Sequence, residues 1–95
     1  MIKVKAHITL FDNERKTPFI SGYRPMFNFV EEMKTSGKIE LIDKDEFCPG
    51  DEGEVIISFL SKKYLGNDFG EGTKFSFTEG EKPIGRGEIK EILYK

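Results

Sequence analysis

Ninety-five residues with 37% hydrophobic content make one domain around one core, and a second domain is not expected. Basic residues number 15 against 17 acidic ones, and the net charge of -2 excludes the global field that draws proteins onto nucleic acid or anionic lipid. Cys48 is the only cysteine and His7 the only histidine, which excludes an internal disulfide, leaves a structural zinc cluster without ligands, and fits a reducing, cytoplasmic setting. No stretch approaches the ~18 apolar residues of a membrane span, so no membrane partner is expected, and neither a signal peptide nor a repeat is visible.

The chain opens with its clearest strand. In IKVKAHITLF, Ile2, Val4, Ala6, Ile8 and Leu10 share one parity while Lys3, Lys5, His7 and Thr9 take the other, so one face is buried. The charged DNERK ends it, and Thr17-Pro18 holds the chain extended because a residue before proline avoids the helical region. After a bend at Gly22, residues 23–29 alternate again, with Tyr23, Pro25, Phe27 and Phe29 on one face; Pro25 cannot donate to a ladder and marks an edge or a bulge. VEEMKTSG is too short for a stable helix and reads as a turn, followed by a strand in GKIELID. Pro49-Gly50-Asp51 is a strong turn signal, and EVIISFL, with β-branched residues on both parities, predicts a strand covered on both faces. SKKYLGNDFGEG, with three glycines, predicts a long and mobile connection. TKFSFTEG and KPIGRGEIKEILYK close the chain as strands, with Phe75 and Phe77 inward and Ile89 sharing a face with Glu91 and Leu93. Six strands without a convincing helix predict a small antiparallel barrel or sandwich.

Catalytic chemistry finds little support. Gly85-Arg86-Gly87 lacks the third glycine and the following helix of a dinucleotide loop; two glycines on one strand face instead admit another backbone or a large aromatic ring. His7 has no second histidine or cysteine to act with, and Cys48, beside a turn, reads as a small apolar filler. The acidic pairs at the predicted turns read as solvated carboxylates, so no catalytic residue, metal or cofactor is expected. The basic residues in KTPFISGYRPMFNF (residues 16–29) and the last strands offer a phosphate-binding face, opposed by interleaved glutamates and by the use of surface lysines to keep strands soluble.

That same stretch resembles the opening of the third domain of translation elongation factor Tu, with its T-P-F-x-x-G-Y-R-P-x-F-x-F pattern. SGKIEL, CPGDEGEVIISFL and GTKFSFTEGEKPIGRGEIKEIL look like later segments of that domain, so the resemblance covers nearly the whole chain. It implies an all-β, six-stranded antiparallel β-barrel over residues 1–95, with residues 17–25 setting the path into the second strand and Arg24 partly structural. Nothing like G-x-x-x-x-G-K-[ST] is present, so neither GTP binding nor hydrolysis is expected.

In that family the domain contacts the T-stem of aminoacyl-tRNA, the exchange factor and the GTPase domain. Carried over by position, the RNA-binding candidates are Arg24, Ser36, Lys74, Lys82 and Arg86. Met26 and Val30 stand where the family has a glutamine and an arginine, which marks them as a protein-binding patch, and lysine or threonine for arginine at 74, 78 and 82 weakens bidentate phosphate recognition. Three readings follow: a stand-alone protein-binding module, a translation factor that binds tRNA or the ribosome, and a decoy or immunity-type mimic of elongation factor Tu. No DNA partner is expected.

Overall fold

The computed structural model describes residues 1–94. Its strands are β1 (Ile2–Leu10), β2 (Met26–Val30), β3 (Met33–Leu41), β4 (Glu52–Phe59), β5 (Lys74–Glu79) and β6 (Lys82–Tyr94). Each pairs antiparallel with two neighbours in the order β1-β4-β3-β2-β5-β6, and β6 returns to β1 to close a six-stranded barrel.

A barrel this narrow is filled by its own side chains. The inward parity of β1 lines it with Val4, Ala6, Ile8 and Leu10, all fully buried. Across from them Phe27 makes an edge contact with Phe59 at 5.2 Å between ring centres and lies 5.7 Å and 5.9 Å from Phe75 and Phe77. Rings of this size need gaps opposite them, and glycines supply these. A Cβ on Gly85 would overlap the Phe77 ring and stand 2.5 Å from the Thr9 carbonyl oxygen; one on Gly87 would stand 2.5 Å from Phe75 Cζ. The pair Gly85 and Gly87 is therefore packing space for two phenylalanines, as the sequence predicts. Gly37 performs the same service for Phe27 and Phe59, since a Cβ there would stand 2.8 Å from each ring.

Several local expectations are corrected. The segment read as a turn is mostly strand: β3 begins at Met33, and only Glu31-Glu32 turn, with Glu32 at a φ of 65°. Tyr23 and Pro25 lie outside β2, although their inward parity holds; Tyr23 joins the sheet only through a bridge to Ile39. β4 is not covered on both faces, because Val55, Ile57 and Phe59 are buried while Ile56 is only half-buried on the outer wall. In β6 the register against β1 slips between Ile89 and Glu91, so Ile92 rather than Glu91 or Leu93 turns inward, and slips again before Tyr94, with Leu93 42% exposed. The predicted long connection spans residues 60–73, with Leu65 buried and Phe69 meeting Phe29 and Phe59 edge-on.

The barrel has two unlike ends. At the clasp end, residues 11–25 and 42–51 cover the strands. Phe19 and Phe47 exchange both backbone hydrogen bonds, at 3.0 and 2.8 Å, and stack 5.3 Å apart. Pro49-Gly50 forms the predicted turn, Gly50 at a φ of 90°, with the Asp51 amide donating to the Cys48 carbonyl at 2.9 Å. At the loop end, residues 60–73 cross from β4 to β5.

Candidate functional site

The expected RNA-binding residues fall into separate places. Arg86 on β6 projects from the outer wall opposite Ser76 on one side and Thr9 on the other, and Lys74 stands opposite Glu88 one row away. These two cations share a shallow polar depression with His7, Thr9, Glu52 and Glu88. Ser36 lies directly across from Met26 on the β2–β3 pair, and Arg24 is exposed in the approach to β2. Lys82 belongs to the clasp end. There its ammonium pairs with Glu14 Oε2 at 2.9 Å, off the direction of an aligned hydrogen bond, so the contact is ionic.

Carboxylates answer part of the basic surface, although among the described residues neither Lys74 nor Arg86 forms an ion pair. Lys5 pairs with Glu54 at 3.8 Å, Lys38 with Glu40 at 3.1 Å, Lys44 with Asp51 at 3.5 Å and Lys90 with Glu88 at 3.5 Å. Exposed pairs of this kind contribute only ~0–1 kcal/mol each to stability, but they cancel the local field that a phosphate backbone needs. His7 Nε2 lies 3.0 Å from Glu52 Oε1 with both side chains exposed, which is a surface contact without a nucleophile beside it. Among the described residues no three His, Cys, Asp or Glu gather as metal ligands, and no helix is long and apolar enough to cross a membrane.

The arginine that shapes the quoted motif is Arg15, which corrects the structural role expected of Arg24. Arg15 Nε donates to the Thr17 carbonyl at 2.8 Å, its Nη1 reaches Tyr23 Oη at 3.2 Å and pairs with Glu79, and its guanidinium lies 4.8 Å from the Tyr23 ring centre. Tyr23 also donates to Glu79. Burial first, and then the hydrogen bond and charge of Glu79, hold the Tyr23 phenol well above its ordinary value. This cluster fastens residues 15–23 to the end of β5. It was hidden in the sequence because its members are 8 and 64 positions apart.

The two apolar candidates are also separated. Met26 is half-buried near the clasp end, whereas Val30 sits at the loop end opposite Met33, which is 47% exposed. A more extended apolar surface lies at that same end and escaped the sequence reading. Ile2 faces Phe59, so Met1 and Leu60 are the next positions outward, 62% and 76% exposed; Tyr94, opposite Lys3, is 63% exposed. Beside them opens a cleft of about 230 Å³ lined by Ile2, Leu65, Phe69, Ile92, Gly70 and Lys62. Leu60 was visible as an outward position of the VIISFL alternation; the two slips in β6 concealed Ile92 and Tyr94.

No protein-family model matches the chain. The outer wall interleaves cations with carboxylates, and the loop end carries exposed apolar residues.

Proposed function

We propose that this chain is a non-catalytic, protein-binding β-barrel module similar to the third domain of elongation factor Tu, working in a reducing cytoplasm. The observation that carries the reading is the distribution of charge. Of the five RNA candidates, only Lys74 and Arg86 share a surface, and Glu52 and Glu88 border it, while Lys82 is held by Glu14. The exposed Met1, Leu60 and Tyr94 and a cleft lined mostly by apolar side chains gather at the loop end instead. Apolar patches rimmed by polar groups are characteristic of protein interfaces.

A translation-associated reading keeps one supporting observation. Arg86 and Lys74 have Ser76 and Asn28 as polar neighbours along the register, a small hydrogen-bonding field for one or two phosphates. The two readings separate in one experiment, capture of binders from source cells with and without ribonuclease, beside tRNA titrations at increasing salt. The protein-binding reading expects recovery that survives ribonuclease and tRNA binding no tighter than about 10⁻⁴ M at physiological salt. Tight tRNA binding with a steep salt slope, lost in Lys74→Glu/Arg86→Glu, would replace it with the RNA reading. Competition with full-length elongation factor Tu for a recovered protein would narrow it to a decoy.

A further inference from the structure

The barrel is closed through its waist but not at the loop end. On its β5 side, β6 is paired as far as Ile89, whose amide donates to the Thr73 carbonyl at 2.8 Å and whose carbonyl accepts from Gly72 at 2.7 Å. Beyond that point residues 90–94 remain extended because they pair with β1 on the other side, from Glu91 opposite Lys5 to Tyr94 opposite Lys3. Among the described residues no backbone partner serves their second edge. Proteins usually blunt such an edge by covering it, since its amides and carbonyls are a template for another strand. Here the opposite is found. The edge borders the 230 Å³ cleft, whose lining includes Ile92 of β6 and Leu65, Phe69 and Gly70 of the crossing segment.

We propose that this cleft is a strand-addition site: an extended segment of a partner protein, alternating apolar and acidic residues, pairs with β6 at residues 90–94 and places an apolar side chain against Ile2, Leu65, Phe69 and Ile92. Five residues of strand span about 16 Å, long enough for two inward side chains of an added segment. The chemistry of that segment follows from the lining. Among the described residues Lys62 is the only charged one in the cleft wall, Lys63 follows it, and neither forms an ion pair. Backbone pairing supplies affinity that is independent of sequence; the apolar pocket and the lysine select an acidic, alternating segment. Leu60 and Tyr94 flank the site and extend the buried surface. The inference rests on the protein-binding reading above and names its surface and the class of its partner.

The test uses the whole chain and a synthetic heptapeptide, blocked at both ends, with leucine at alternate positions and glutamate between. Amide resonances of residues 62–70 and 90–94 are expected to shift together on titration. Lysine in place of glutamate in the peptide, or Lys62→Glu in the protein, is expected to weaken binding by about tenfold, equivalent to about 1.4 kcal/mol. N-methylation of alternate peptide amides is expected to abolish it, since the ladder needs those donors. Gly70→Leu is the blocking variant, because a side chain there enters open space at the cleft wall without a backbone penalty. Equal binding of the lysine peptide, undiminished binding after N-methylation, or shifts confined to another face would overturn the proposal. So would self-association that protects the amides of residues 90–94, because the occupant would then be a second copy. If a protein captured from cells binds Gly70→Leu as well as the parent, this site is wrong while the protein-binding reading stands; if no protein is captured and no peptide binds, both fall.

Discussion

The two ends of the barrel solve one problem in different ways. At the clasp end, the crossing segments bond to each other through Phe19 and Phe47 and to the sheet through Gly22 with Ile39, Phe11 with Ile84 and Leu10 with Asp51. At the loop end the crossing segment contributes side chains more than backbone, with Leu65 and Phe69 entering the core while residues 90–94 keep a free edge. Backbone satisfaction fixes the clasp end in one arrangement. Apolar plugging, with backbone bonds to β6 among the described residues only from Gly72 and Thr73 to Ile89, leaves the loop end stable but able to accept another chain, so scaffold and binding surface are separated along the barrel axis.

Removing one ring from each end should separate them most sharply. Phe47 is fully buried, stacked on Phe19 and covered by the Lys44 ammonium 4.6 Å from its centre. Phe47→Ala should lower unfolding stability by about 3–5 kcal/mol, the range of well-packed aromatic deletions. Phe69 is only partly buried beside an existing cleft that can relax, so Phe69→Ala should cost about 1–2 kcal/mol. Urea midpoints for both variants check the contrast, and equal losses would mean that the loop end is as tightly packed as its opposite.

What the sequence revealed follows the same division. Strict alternation in IKVKAHITLF and in the phenylalanines of KFSF gave their inward faces directly, because each side chain's face follows from its parity while register is regular. The turn at Pro49-Gly50 was equally readable from proline at one position and glycine at the next. Parity failed where the strand slipped. The irregularity between Ile89 and Glu91 moved Ile92 inward, a second between Ile92 and Tyr94 shifted the strand end, and neither leaves a mark in local composition. The turn read over residues 30–37 shrinks to Glu31-Glu32, and the start of β3 at Met33 was missed because a glutamate at positive φ marks the turn where a glycine or asparagine would usually place it. The candidate site depends on these long-range events. Lys62, Leu65 and Phe69 meet Ile2 and Ile92 only after the barrel closes, so the sequence placed Val30 near the surface that matters but not the cleft itself.

The fastening of residues 15–23 provides a chemical test of the clasp end. Tyr23→Phe removes the donor to Glu79 and the acceptor for Arg15 while preserving the ring, and should cost about 0.5–1.5 kcal/mol at neutral pH. The raised phenol value also has a definite sign. The folded chain keeps the proton at a pH where the unfolded tyrosine has lost it, so this contribution is complete below about pH 10 and declines as pH rises above it. Alkaline unfolding measured for parent and variant should therefore converge with rising pH. A constant difference between them up to strongly alkaline pH would show that the phenol proton is not part of the fastening.

The smallest expected effect lies at Asp51, where acid should loosen one end and leave the other. Its carboxylate accepts the Cys48 amide at 2.9 Å and lies 3.5 Å from Lys44, and the first of these contacts chiefly holds its pKa below the usual carboxylate value. A lowered folded value means that the contribution is present above about pH 4 and is lost as pH falls through the folded value, when the protonated carboxyl becomes a poorer acceptor. Asp51→Asn keeps an acceptor oxygen but removes the charge, so its stability should fall slightly at neutral pH and respond less to acid. Hydrogen exchange near pH 3 should then rise in residues 46–51 of the parent relative to neutral conditions, after correction for intrinsic rates, while residues 60–73 change less. The loop end holds its crossing segment by Leu65, Phe69 and neutral bonds such as Gly70 to the Thr73 hydroxyl at 2.9 Å, none of which titrates. Equal acid loosening at both ends would show that the ends communicate through the barrel wall, and the separation of scaffold from binding surface would have to be abandoned.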